Sequence, residues 1–341
     1  MGGAGWKEKK DRWTMEEKKK MWEAIGRTAM EYGTEVWEGV SNRMELLQME
    51  AGRAVLGVPR GVINSFVVGE LQWEEVSDRS SEKLLRFVHK LERMGAERLV
   101  GRVYRKVKEK KIGVEGKGSG RGGWWGRVSR VMGRWELREK WEWGVQELNQ
   151  EEWKKKVREA KLIIVQSRWE KEMGKKGTVR EWYRGVKKNW GMSELVTRRG
   201  KVVEEMMKIR GCVSGLEVDR GRWGTVRTKR EQRLCGMCEV AVGDLWHVIG
   251  ECGRLSERRD VGLRDWERRS GEGEEERERE GWRKVVDWMN SGNVGKMVKL
   301  MLGGKEGEKW KGRNTVCSKW FGKMIKERKK VLEEKRVGLS V

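Results

Sequence analysis

Apolar residues recur at three- and four-residue intervals along nearly the whole chain, and no long stretch alternates with a period of two. That spacing puts them on one face of successive α-helices and argues against an extended sheet. Thr14 with Glu17 reads as a capping box, followed by Met21, Ala24, Ile25, Ala29 and Tyr32 on one face. A second helix is predicted from Ser41 to Leu56 with Met44, Leu47, Ala51 and Val55 inward, stopped by Gly57 and Pro59. Asn64 can cap a short helix to Leu71; Leu84, Phe87, Val88, Leu91 and Met94 mark a longer one, and another spans Ala96 to Lys111. Asn149 with Glu152 and Thr178 with Glu181 form further capping pairs; Val202 to Ile209, a segment opened by Asn293 and a final stripe from Trp320 to Leu332 complete the helical set. Residues 112–126 are Gly-rich and without periodicity, so they read as a linker between a first helical region (1–111) and a helical C-terminal domain (127–341).

Charged residues make up 39% of the 341, and 78 Lys and Arg against 54 Asp and Glu leave a formal net charge of +24. Such an excess favours polyanionic partners, nucleic acid first. The 21 Trp against 3 Phe and 3 Tyr, with 1 Pro and 46 Gly, match no requirement of a fold; they follow from a coding strand poor in C. Most Trp are therefore expected to be core aromatics and not base-stacking platforms. The start MGGAGWKEKKDRW lacks the apolar stretch of a signal peptide, and Trp6 stands where a myristoylation signal needs Ser or Thr. The longest apolar run, Leu162 to Val165, is far short of the ~18 residues of a membrane span. The expectation is a nuclear or cytoplasmic protein, neither secreted nor membrane-bound, in a reducing compartment where clustered cysteines read as metal ligands.

Such a cluster is present. LCGMCEVAVGDLWHVIGEC contains C-x2-C-x8-H-x4-C, with Cys235, Cys238, His247 and Cys252 as ligands. A C-x2-C pair can turn two thiolates onto one centre, with Gly236 expected to relieve the turn. The H-x4-C spacing does not share a face of a continuous α-helix, so Gly250 is expected to end the helix and let Cys252 swing back. Three Cys and one His suit tetrahedral Zn²⁺. Four protein ligands leave no open position, so the ion would be structural. The segment 228–260 is too short to bury a core of its own, and the metal would hold it folded. The fold class expected is thus mostly α, with a small zinc-stabilised CCHC module. Cys212 and Cys317 read as small buried residues, and His89 as a surface or flanking residue.

Positive charge concentrates at 95–130 and again at 197–234, which leads into Cys235. Arg220, Arg222, Arg227, Lys229, Arg230 and Arg233 are the candidate phosphate contacts, supplying affinity through counterion release rather than base reading. No phosphate-binding loop, nucleophile elbow or H-E-x-x-H is present. Asp is scarce and no two are adjacent, so a two-metal carboxylate site is not expected. The charged run 270–281 reads as solvated.

Taken in order, several segments resemble the C-terminal part of the reverse transcriptase of non-LTR, LINE-like retrotransposons. MWEAIGRTAMEYGTEVW (21–37) resembles the thumb-side stretch after the polymerase palm. MELLQMEAGRAVLGVPR (44–60) and SFVVGELQW (65–73) resemble the two helices that follow. MMKIRGCVSGLEVDRGRW (206–223) resembles the approach to the zinc site, and C-x2-C-x8-H-x4-C with Glu257, Arg258 and Arg259 resembles the family's CCHC motif and trailing arginine. The resemblance implies a post-palm helical region, a zinc-stabilised tail that binds RNA or single-stranded DNA, and a polymerase domain as partner in a full-length relative. The palm with its paired aspartates would lie before residue 1, so no catalysis is expected of this chain. A helical protein-interaction module is the alternative, as is an RNA-directed DNA polymerase by family inheritance alone.

Overall fold

A computed structural model describes residues 13–37, 39–95, 97–112, 123–137, 148–223, 228–257, 324 and 326–334. Helices dominate: α1 (Met15–Met21), continued by a π-helical turn (Trp22–Arg27) and Thr28–Met30, then α2 (Asn42–Leu56), α3 (Asn64–Leu71), α4 (Val76–Glu92), α5 (Leu99–Ile112), α6 (Gly123–Arg134), α7 (Gln150–Gly174), α8 (Thr178–Val186), α9 (Lys201–Arg210) and α10 (Glu217–Trp223). Among the described residues there is no strand, only the isolated antiparallel bridge Leu234–Val242. Nor is any described helix long and apolar enough to cross a membrane. Of the Gly-rich stretch, Ile112 ends α5 and Gly123–Gly126 open α6, while 113–122 lie outside the described residues, as do the segments opened by Asn293 and at Trp320.

Local signals set the helix ends. Thr14 N–H donates to Glu17 Oε2 at 2.6 Å while Glu17 N–H donates to Thr14 Oγ1 at 3.0 Å, a reciprocal box. Asn149 and Glu152 repeat it at 2.9 and 3.0 Å. At α8 the cap is Gly177 and not Thr178, which already has helical conformation; Glu181 reaches back only to the Gly177 N–H, at 3.5 Å. Helix α2 ends as expected: Gly57 has φ +65°, and Val58 N–H donates to Arg53 O at 3.0 Å, closing a left-handed C-cap.

The chain forms two compact units. One comprises residues up to Lys18, Arg53–Leu71 and residues from Met173 onward; the other comprises Lys19–Gly52 and Gln72–Glu172. The second, here the central unit, has its core where Leu84, Leu85, Val88 and Leu91 of α4 meet Val128, Val131 and Met132 of α6 and Trp153 and Val157 of α7. Trp153 is fully buried and its Nε1–H donates to Leu85 O at 3.0 Å. His89 is no surface residue: it is buried, stacked on Trp153 with ring centroids 5.7 Å apart, and its Nε2 lies 3.2 Å from Leu148 O. Burial, and then the charge of Arg93, hold its pKa below the ordinary value.

Two helix faces are turned differently from their apolar patterns. Of the stripe expected to face inward at the chain start, Met21, Ile25 and Tyr32 are 46%, 69% and 82% exposed, while Glu31 is buried. In α2, Leu47 is exposed and Gln48 buried. The reason is polar. Glu31 receives Arg79 Nε–H at 2.7 Å, Gln48 Oε1 accepts from Arg79, and Gln48 Nε2–H donates to Glu74 O at 2.9 Å. Arg79 thus needs acceptors at depth, and these helices supply them by facing their polar residues inward.

In the other unit, Phe66 of α3 packs on Tyr183 of α8 at 5.0 Å between ring centroids. Beneath them Glu70 is fully buried and carries three hydrogen bonds on Oε1: from Tyr183 Oη at 2.8 Å and from Arg210 Nη2 and Nε at 2.6 and 3.2 Å. Burial pushes the Glu70 carboxyl up, but Arg210 and Lys187 outweigh it and hold it below the ordinary carboxylate range. Trp73, Trp135 and Trp169 are buried like Trp153, whereas Trp13 and Trp37 are exposed and the other tryptophans with described side chains are half-buried, so most of them are not core aromatics.

Candidate metal centre

The module begins as a two-armed knuckle. The Leu234–Val242 bridge is flanked by Cys235 N–H to Ala241 O at 2.7 Å and Gly243 N–H to Arg233 O at 2.8 Å. Glu239 N–H returns to Cys235 O at 2.8 Å, and Glu239 itself takes the left-handed conformation, φ +59°, that lets the arm reverse. Asp244 then caps a helical turn, its Oδ1 accepting from His247 N–H at 3.0 Å.

The ligand atoms of Cys235, Cys238, His247 and Cys252 all lie within 4.8 Å of one another, with Cys238 Sγ 3.0 Å from His247 Nε2. A tetrahedral ion with metal–sulfur bonds near 2.3 Å would separate its sulfurs by about 3.8 Å, so the cluster fits a single ion. Cys235 and Cys252 are fully buried and His247 nearly so. None of the three cysteines is in a disulfide. With Nε2 turned to the centre, His247 Nδ1 points toward Glu251 Oε2, 3.9 Å away. Burial opposes charge on Cys238, but the N–H groups of Val240 and Ala241 and the His247 ring outweigh it and bring the thiol down to about 6. Burial, with Cys235 and Cys238 beside it, pushes Cys252 up to about 11 against the Arg254 N–H. Three sulfurs this close cannot all carry charge without a cation among them.

Two expected details differ. The helix does not end at Gly250. His247–Glu251 form a π-helical turn, closed by Cys252 N–H to His247 O at 2.7 Å. On an α-helix residues five apart are about 140° apart around the axis. The wider i→i+5 turn brings them to one side, which is what H-x4-C requires. Gly236 does not serve the turn either; it admits a neighbour. A Cβ there would lie 2.9 Å from Glu217 Oε1 and 3.1 Å from Leu332 Cδ2.

Glu217 at the start of α10 and the helix 326–334 therefore press on the module. Arg328, almost fully buried, donates to Glu217 Oε1. Trp246 packs edge-on to Trp182 of α8 at 5.5 Å, and Trp182 Nε1–H donates to Ile209 O at 3.2 Å. No local pattern marks these supports; along the chain Glu217 is one more carboxylate among many charges. Gly243 is the tightest point: a Cβ would lie 2.3 Å from Glu217 Oε2 and 3.0 Å from the Cys235 backbone. Gly243→Ala is expected to destabilise the module by ~1–3 kcal/mol through overpacking, read as weakened metal retention in a chelator competition.

The candidate phosphate contacts divide. Arg220 and Lys229 are exposed. Arg230 is also exposed but paired with Asp244. Arg222 is half-buried, 3.8 Å from Asp219. Arg233 is a structural clamp: Nη1 donates to Val218 O at 2.7 Å, and Nε and Nη2 to Thr228 O at 3.0 and 2.6 Å. Arg227 lies outside the described residues, as does Cys317. Cys212 is half-buried with φ +55°, its thiol pushed up to about 12 by burial and then by Asp219. Comparison of the chain with models of known families, with curated proteins and with solved structures finds no match.

Proposed function

We propose that this chain is a nucleic-acid-binding protein of the reverse-transcriptase-tail kind, stabilised by one structural zinc ion and without catalytic chemistry of its own. The observation that supports it is the closed set Cys235, Cys238, His247 and Cys252, beside which Arg220 and Lys229 remain exposed in a chain of net charge +24. Zinc is favoured by the donor set, since three thiolates and an imidazole in a tetrahedron match no hard cation. Zinc at such a centre fixes the fold and has no position for water or substrate. Phosphate contacts from the flanking cations would confer affinity with little base selectivity.

The test is fluorescence anisotropy of labelled RNA and single-stranded DNA with metal-loaded protein. Binding is expected to weaken steeply with salt, and Arg220→Gln with Lys229→Gln is expected to lower both the affinity and the salt slope. Flat anisotropy at low salt with folded protein would sink the reading. Primer extension with Mg²⁺ is expected to be absent. A second reading, a helical interaction module, is favoured by one observation: the large apolar side chains Met21, Ile25, Tyr32 and Val36 are all exposed.

A further inference from the structure

We propose that the central unit contains a phosphate-binding cleft built from residues other than those of the metal centre. The cleft, about 310 Å³, is lined by five cations, Arg27, Arg79, Lys83, Arg86 and Lys161, and by three carboxylates, Glu31, Glu74 and Glu82. Its floor is neutralised. Arg79 is held by Glu31, and Lys161 bridges Glu74 at 2.8 Å and Glu82 at 2.5 Å. The same carboxylates must also serve the rim: Lys83 lies 3.3 Å from Glu31, and Arg86 2.5 Å from Glu82. Neighbours do not restore the balance. Glu23 pairs with Arg27 at 2.6 Å but also with Lys19 at 3.5 Å, Glu151 near Arg86 is itself paired with Lys154 at 2.6 Å, and Arg158 adds a cation 3.9 Å from Glu82. Glu45, near Arg79, accepts from the N–H groups of Val76 and Ser77 and offsets one charge only. Positive charge is left over in a recess where water screens it less than at an open surface.

Hydrogen-bond demand points the same way. The Nε–H groups of Arg27 and Arg86 are buried and have no acceptor among the described residues. A buried donor without an acceptor costs roughly 1–3 kcal/mol. Both belong to cleft-lining guanidiniums, and a phosphate group supplies what they lack: negative charge with several acceptor oxygens, suited to planar arginine forks. Burial, and next the like charge of Arg79, disfavour the Arg27 cation, which an anion in the cleft would relieve. The π-helical turn Trp22–Arg27 ends on Arg27 itself, and such turns recur where a helix positions a functional side chain.

The phosphate can come from two sources, a free phosphate such as pyrophosphate or the backbone of a nucleic-acid strand. The test uses the full chain, metal-loaded, titrated with inorganic pyrophosphate by calorimetry and ³¹P NMR. Saturable one-to-one binding is expected, weakened at least tenfold by Arg86→Gln and by Lys83→Gln, and unaffected by Arg220→Gln. Lys83 is 41% exposed, so Lys83→Gln keeps the test valid if Arg86→Gln disturbs the fold; circular dichroism and the thermal midpoint check both. Displacement of pyrophosphate by an oligonucleotide without terminal phosphate assigns the site to backbone phosphate, and displacement only by free phosphates assigns it to those. No saturable binding at millimolar pyrophosphate, or binding equal in wild type and both variants, overturns the proposal. The inference does not rest on the nucleic-acid reading: anisotropy can fail while pyrophosphate binds, and the reverse.

Discussion

Stripping the metal with a chelator, or replacing Cys235 by Ser, is expected to unfold residues 228–257 while the α4–α6–α7 core of the central unit stays folded. The module has one isolated bridge, a single π-helical turn and few buried apolar side chains of its own, chiefly Met237, Leu245, Val248 and Leu255. Those cannot offset the conformational entropy of some thirty ordered residues. In comparable small sites the metal supplies on the order of 10 kcal/mol of apparent folding free energy at neutral pH. Loss of a direct ligand should lower affinity by more than the ~100-fold typical of losing an outer hydrogen-bond partner. The helix 326–334 should loosen with the module, because Arg328 and Leu332 meet it through Glu217 and Gly236. Limited proteolysis and amide exchange, before and after chelation, read the effect residue by residue, and a zinc-sensitive dye reads one ion released per chain. Equal protection of 228–257 with and without the metal would refute a structural role for it.

Glu70→Gln is expected to cost ~3–5 kcal/mol, because it leaves the Arg210 guanidinium buried with its counter-charge removed. Arg210 is 3% exposed and Glu70 fully buried, so solvent cannot take over the role of the partner. Arg210→Met should cost less, because Lys187 and the Tyr183 hydroxyl remain with the Glu70 carboxylate. The double variant Glu70→Gln, Arg210→Met should recover most of the loss, since exchanging a buried pair for groups without net charge is often close to neutral. Urea midpoints followed by tryptophan fluorescence give the comparison; additive losses in the double variant would show that the two residues do not act as a pair. The pH dependence has a definite sign. Glu70 is held below the ordinary carboxylate range in the folded protein, so its contribution is complete above that range and is lost as pH falls through and below it.

Much of the fold can be read one helix at a time. The boxes Thr14–Glu17 and Asn149–Glu152 and the Gly57 C-cap join groups within five residues of each other. The four candidate metal ligands are legible for the same reason: they span 18 positions, and their residue types are rare in this chain. The apolar stripe, by contrast, is a poor guide to which face is buried. At Met21, Ile25, Tyr32 and Leu47 the stripe faces outward because Glu31 and Gln48 must reach Arg79, 48 and 31 residues away. His89 reads as a surface residue for the same reason, since its partner Trp153 lies on another helix.

The sequence by itself determined that the chain is helical, where several helices begin and end, and which four side chains can share an ion. Each of those outcomes depends on bonds or spacings within a single turn or knuckle. Tertiary structure alone decided which helix faces turn inward, that Glu70 and Arg210 meet across 140 residues, and that Arg233 clamps backbone while Arg220 and Lys229 stay exposed. Buried charges seek partners wherever the fold supplies them, and no local pattern encodes the address. The H-x4-C spacing joins the two levels. Residue type and spacing mark Cys252 as a ligand, but only the π-helical turn shows how a residue five positions on can face the same centre as His247.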